Sequence, residues 1–548
     1  MRPLSVRVAE WLPALIALAL PTLFVTGLVD AFVLPRASLV IAGACLGTGL
    51  ALLMPGRPQL GSLRWPLVAA GAAAILAFAF SISWPLSFVG SYTRYESLPM
   101  RLSYLGLLAV PVWLTRSDRA RLAVVAALVL GAAAASMEAV IQWWQHVPFR
   151  PDGNLGNANL LGALIAMALP LAVYRMFKYD WSTPLWWLAA AVMGAGLWVS
   201  TSRGGVLAAL AGCLALGVFA VRGRVPIAVA AVLATATVAA ALSAIFYFPA
   251  LRQLNGDPGP TRIHLYQDAV RMVFARPMTG WGEDATGLVF GRFLTGDWSP
   301  GVTFDRVHSG VLDLGATQGL LGLAALGAVL FVLLRGVWTW RSSPVAGPNS
   351  RPRWGVRDVG AIGAALVAYT VWVVFNFDWA PATGVFWLLA GTAWSGVRSA
   401  QASTPPENAR PAGNPPRSST YLGRAAGALA LAILAVGLAA MPILGEAWYS
   451  QGRPDLAVRV DPFQSQYHRA LGEELIAEGS RTEGIQELRL AARLGATDPS
   501  LYVELGDEEL RAGEVAQARA DYMMALTIDP FWSAARQRLA TNGSLATA

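Results

Sequence analysis

Charge is scarce in this chain. Of its 548 residues only 14% are charged and 55% are hydrophobic, where a soluble protein carries about 25% charged residues. That shortage excludes a soluble enzyme, a coiled coil and a disordered regulator, each of which needs a charged, solvated surface. The two cysteines, Cys45 and Cys213, lie inside apolar runs and offer neither a disulfide framework nor a metal site. Four dispersed histidines without clustered carboxylates lack zinc-ligand spacing. Lysine is represented by Lys178 alone, so the cations are arginines. What is abundant is long apolar sequence, and the fold class it predicts is an all-α, polytopic membrane helical bundle.

A membrane-spanning helix needs about 20 apolar residues. Thirteen runs qualify, from 11–29 to 422–445, with the ninth at 225–248; two pairs are divided by very short turns, at Ser202 and at Asp378, so twelve or thirteen spans are expected. The net charge of +8 is an average over unlike parts. Basic residues crowd the loops of the apolar region, which reads as topology and not as a nucleic-acid surface. With the N-terminus cytoplasmic, twenty of these cations fall in cytoplasmic segments and five in short external loops: Arg36, Arg94, Arg101, Arg150 and Arg203. The expected organisation is a membrane domain over 1–398 with a large external loop at 249–307, a Pro-rich cytoplasmic linker at 399–421, a last span at 422–446 and an acidic extracytoplasmic tail at 447–548.

The tail is apolar only at helical spacing. From Pro499 to Pro530 it fits a tetratricopeptide repeat, with Tyr502, Leu505, Gly506, Ala518, Tyr522 and Ala525 in place. An earlier, less regular copy carries Leu471, Gly472, Leu488 and Ala491. So short an array needs a neighbour, and the tail is expected to pack on the membrane domain or on a protein partner. A plain helical hairpin is the alternative.

The informative residues of a membrane protein are polar groups that topology does not require. Arg203, in the external turn Thr201-Ser202-Arg203-Gly204-Gly205, is one. It either snorkels at a helix end or, beside two glycines that admit a ligand, forks onto a phosphate. In the large loop, Thr261 to Arg271 reads as an interfacial amphipathic helix with Arg262 and Tyr266 on one face. A Pro/Gly turn, Pro277 to Gly282 with Trp281, follows it. His308 opens the next span, followed by Ser309 and by Gly315, Gly319 and Gly322; it is either a helix-end residue or a base acting near neutral pH. Glu96, Glu138 and Asp305 are reserve bases on the external side.

Read in order, these pieces resemble the O-antigen ligase and polymerase superfamily of bacterial envelope glycan transferases. The matching residues are Gly156-Asn157-Ala158-Asn159-Leu160, Ser202-Arg203-Gly204-Gly205, Arg262 with Tyr266, Pro277 with Gly280-Trp281-Gly282, and His308 through Gly322. The resemblance implies a multi-pass protein of the cytoplasmic membrane that moves a glycan from an undecaprenyl-diphosphate-type donor to a glycan, lipid or protein acceptor. It implies that Arg203 and Arg262, with Gly204 and Gly205, hold the diphosphate and that His308 assists the acceptor hydroxyl. Asn157, Asn159, Tyr266, Trp281, Ser309 and Glu138 are candidate supporting residues. No metal or cofactor is expected. Two positions depart from the family pattern: Ser309 and Thr317 stand where Asn and Glu are usual, with Gln318 adjacent. A lipid-linked glycan flippase and a non-catalytic anchor for the tail are rivals from other classes.

Overall fold

The computed structural model describes residues 8–54, 59–178, 180–221, 259–339, 356–402 and 418–541. The ninth expected span, the start of the large loop and most of the linker lie outside them. Among the described residues the architecture is all-α. The membrane part comprises α1 (Leu12–Thr22), α2 (Val33–Leu53), α3 (Arg64–Ala79), the short α4 (Trp84–Val89), α5 (Leu98–Leu114), α6 (Asp118–Trp144), α7 (Ala158–Met176), α8 (Thr183–Val199) and α9 (Arg203–Val221). Beyond the large loop, with its α10 (Gly259–Ala275) and α11 (Thr286–Val289), follow α12 (Gly310–Thr339), α13 (Val356–Val374), α14 (Ala380–Ala402) and α15 (Ser418–Ala435). The last continues through a π turn into α16 (Met441–Ser450).

A helix lies on each expected run that falls within the described residues, but only seven are long and apolar enough to cross a membrane; α1, α5, α8 and α13 are shorter apolar helices. For α1 the cause is visible. The run 11–29 is helical only to Thr22, because the buried Arg36 guanidinium takes the carbonyls that would continue the helix: Nε donates to Leu20 O at 2.8 Å and Nη2 to Pro21 O at 3.3 Å. Its other donors go to Phe32 and Asn154 carbonyls. Arg36 is thus a buried helix cap in an otherwise apolar setting.

Of the seven span-length helices α7 is the most enclosed, and it packs against α8, α9 and α13. Its contact with α9 is close because Gly162 meets Gly205: a Cβ on Gly205 would lie 2.7 Å from Gly162 Cα. Helix α12 is kinked at Gly319 (φ 67°, ψ −164°), a conformation essentially confined to glycine. The Pro277–Gly282 turn fills the break. Pro277 O accepts from Leu320 N at 2.7 Å, while Trp281 N and Gly282 N donate to Ala316 O and Thr317 O at 2.8 and 3.0 Å. Gly319 therefore serves as a docking notch, since a Cβ there would run into the Pro277 and Met278 carbonyls.

The tail forms α17 (Pro454–Val460), α18 (Ser465–Ala477), α19 (Arg481–Arg493), α20 (Pro499–Arg511), α21 (Val515–Ile528) and α22 (Ser533–Thr541). Neighbours pack in sequence, α18 on α19 and α20 on α21. The tail folds onto the large loop: Leu265, Ala269, Val289 and Phe290 share one apolar core with Leu501, Tyr502, Leu505 and Ile528. Thr303 Oγ1 also donates to Asp529 Oδ2 at 3.2 Å. Loop and tail therefore occupy the same face of the bundle.

Candidate active site

The loop 375–379 between α13 and α14 is where the polar groups of the sequence meet. Asn376 Nδ2 lies against Gly204, 2.8 Å from where a Cβ would stand. The Asn376 carbonyl accepts from Gly310 N at 2.8 Å, and Arg262 Nη1 donates to Phe375 O at 3.1 Å. One turn along α10, the Tyr266 hydroxyl donates to His308 O at 3.1 Å. The His308 ring stands 5.4 Å from Phe377. The start of α9, the face of α10 and the start of α12 thus converge on one short segment.

Each participant is held by local chemistry. Ser202 caps α9, its Oγ accepting from Gly205 N at 3.2 Å and donating to Asn159 Oδ1 at 3.1 Å. Arg150 braces the same turn through Ser200 O (2.9 Å) and Thr201 Oγ1 (3.1 Å). Asn157 caps α7 by accepting from Asn159 N at 2.8 Å. Asn157 and Asn159 are therefore supports of the Arg203 turn. His308 has φ 54°, a left-handed conformation uncommon outside glycine, and Ser309 caps α12 through Leu312 N.

Beneath this loop lies a buried ionic network. Arg101 donates to Glu283 at 2.9 Å and pairs with Asp378, with Glu96 3.6 Å away. Gln318 Nε2 donates to Glu283 Oε1 at 2.5 Å. Arg306, 1% exposed, bridges Asp284 and Asp313. Arg101, Asp378 and Gln318 form the polar end of a cavity of ≈ 140 Å³. Most of the rest of its wall is apolar, from Ala70 and Ala74 through Leu323, Leu326 and Leu330 to Phe386 and Trp387. A lipid chain suits such a wall, and a polar headgroup suits its end.

The reserve bases fare unequally. Glu96 is fully buried and accepts from the Tyr104 hydroxyl at 2.6 Å. Burial pushes its carboxyl up to about 8 despite the nearby Arg101 guanidinium. A carboxyl raised in the fold gives stability that is complete below its ordinary value near 4.5 and is lost as pH climbs through about 8. Glu96→Gln is therefore expected to melt with the wild type at pH 5 and several degrees above it at pH 9. Thermal unfolding of the detergent-solubilised protein checks this, and parallel melting at both pH values would count against it. Burial would raise the Asp305 carboxyl, but Arg94, at 2.7 Å, holds it below the ordinary range.

Two expected site residues lie elsewhere. Trp281 is 9% exposed, its indole N–H donates to Met272 O at 3.1 Å and Arg276 covers its ring. It is a packing residue of the loop core, not a surface offered to a sugar. Glu138 is half-buried on α6, whose main neighbours are α1 and α8. Sequence reasoning also passed over Asn376, Asp378, Arg101, Glu283, Arg306 and Asp313. The usable signal was an Asn and an Asp in so short a gap between two uncharged spans.

Residues 188–327, which hold Arg203, Arg262 and His308, match the family model described as O-antigen ligase. No curated protein matches the chain.

Proposed function

We propose that this protein is a membrane glycosyltransferase that moves a glycan from a polyprenyl-diphosphate lipid to an acceptor hydroxyl on the outer face of the cytoplasmic membrane. The observation that carries the reading is the convergence of the Arg203 turn, Arg262 and His308 on residues 375–378, within and beside the stretch that matches O-antigen ligase. The apolar cavity with a polar end gives the lipid chain of the donor a place next to that convergence.

In this mechanism Arg203 and Arg262 balance the charge of the donor diphosphate. The N-terminus of α9, where Arg203 stands, adds a favourable field for the same anion. The acceptor oxygen attacks the anomeric carbon from the face opposite the leaving group. The carbon–oxygen bond to the acceptor forms as the bond to the diphosphate breaks, with inversion. The hydroxyl proton passes to the imidazole of His308, and the electron pair of the broken bond leaves on the diphosphate. Tyr266 and Ser309 fix His308 through its carbonyl and through the cap of α12.

Twelve or thirteen spans, a cytoplasmic N-terminus and an extracytoplasmic tail complete the reading. Loop and tail pack together on one face, as an even number of intervening crossings requires. The paired tail helices, with Gly506 against Tyr522, suit tetratricopeptide-like repeats. Deleting the gene and analysing the envelope glycans tests the function. Accumulated lipid-linked polymer is expected for a ligase and accumulated single repeat units for a polymerase. Purified protein in vesicles should join labelled glycan to acceptor, and His308→Ala protein should not. Movement of the labelled lipid across the vesicle without transfer would overturn the proposal in favour of a flippase.

A further inference from the structure

A cleft of ≈ 160 Å³ with mixed polar and apolar lining opens between the membrane part and the tail, away from the apolar cavity. Ser91 and Tyr92 form one wall, and Ser465, Gln466, Arg469 and Asp498 the other. Its one arginine is already engaged by acidic neighbours. Arg469 donates to Glu473 and Asp498 at 2.7 Å each and to Glu504 at 3.3 Å, so one cation faces three carboxyl groups. That arrangement disfavours a phosphate and suits uncharged hydroxyls, which both donate and accept. The Tyr92 ring is fixed edge-on to Tyr449 and Tyr467 at 6.1 and 6.4 Å. Its hydroxyl donates to Glu446 Oε1 at 2.9 Å, so the wall is pre-organised.

A short chain of neighbours links the wall of the cleft to the candidate site. Tyr92 is two residues from Arg94, at most about 7 Å along the chain. Arg94 lies over the Phe377 and Trp379 rings at 4.8 and 4.6 Å, and Phe377 faces His308. Ser91 is itself tied to the loop, its N–H donating to Asp284 at 2.8 Å.

We propose that this cleft between Ser91-Tyr92 and the α18–α20 face of the tail binds a sugar unit of the glycan, at a distance from the reacting carbon. The inference rests on the glycan-transfer reading and deepens it, because it makes the tail a part of the substrate site. Ser465→Trp fills the cleft, and Gln466→Ala removes one polar group together with its 3.1 Å hydrogen bond to the Tyr449 hydroxyl.

The probe is free oligosaccharide released by mild acid from the native lipid-linked glycan, titrated into full-length protein in detergent. Wild type and His308→Ala should bind it. Both cleft variants, melting as the wild type does, should bind about tenfold more weakly, the effect of one or two lost hydrogen bonds. The KM of transfer for multi-unit glycan should rise in step, with no matching loss in kcat. Equal binding and equal KM in a wild type that transfers glycan would overturn the cleft and leave the transfer reading standing. Binding sensitive to Ser465→Trp in a protein that transfers nothing would support the cleft and overturn the transfer reading. Absence of both binding and transfer would overturn both.

Discussion

Arg203→Ala protein is expected to transfer glycan about 10²–10³-fold more slowly than wild type, the range seen when one pre-organised donor to a developing anion is removed. The expectation rests on where the turn is held. Ser202 caps α9, Arg150 and Asn159 brace the turn from behind, and Gly204 abuts Asn376 in the loop that also receives Arg262. A guanidinium so placed can offer a two-pronged contact to a diphosphate, which an ammonium cannot reproduce. Arg203→Lys should therefore recover only part of the rate. Single-turnover transfer with labelled donor, on variants that melt like the wild type, is the measurement. Unimpaired turnover in Arg203→Ala would return this residue to the role of a snorkelling helix-end arginine.

The largest effect on stability is expected from Arg306→Ala. Its side chain is 1% exposed and pairs with two carboxylates that are equally enclosed, Asp284 and Asp313. Removing the cation leaves both without their partner, a loss of about 3–5 kcal/mol where one member of a buried pair is deleted. Because Asp284 also receives the Ser91 amide and Asp313 begins α12, the damage should spread to the loop. Thermal unfolding in detergent reads this out. Adding Asp284→Asn and Asp313→Asn should restore much of the loss, since neutral amides in place of the carboxylates remove the uncompensated charge. A single variant that melts with the wild type would show that the network contributes little.

Helix positions were legible in the sequence because an apolar run of bilayer length has few other uses. Their ends were less so, since what stops α1 is a side chain fourteen residues beyond it, Arg36, reaching back to the terminal carbonyls. The Arg203 turn, Arg262 and His308 could be picked out by being polar where topology asked for nothing. Scarcity alone did not sort their roles. Of the five arginines in short external loops, Arg36, Arg94, Arg101 and Arg150 hold carbonyls or carboxylates of the protein itself. The hydrogen-bond partners of Arg101 lie 182 and 277 residues away, a spacing that leaves no local pattern. Trp281 shows the converse: an aromatic beside glycines looks available, yet the kink at Gly319 draws its whole turn against α12 and buries the ring.

The union of loop and tail also sets a schedule. Thr303 and Asp529, which join the two, are 226 residues apart. At a synthesis rate of about 5–20 residues per second, the loop waits roughly 10–45 s for its partner to be made. During that interval Phe290 and Leu265 lack the tail side of their core, and the wall formed by Tyr92 has nothing opposite it. Helices α12 to α16 must all be made before the pieces can close. A ribosome that stops early thus releases a chain with every motif of the family match and an unfinished loop surface. Such a chain should be cut by proteases at apolar loop residues that the tail covers in the full-length protein.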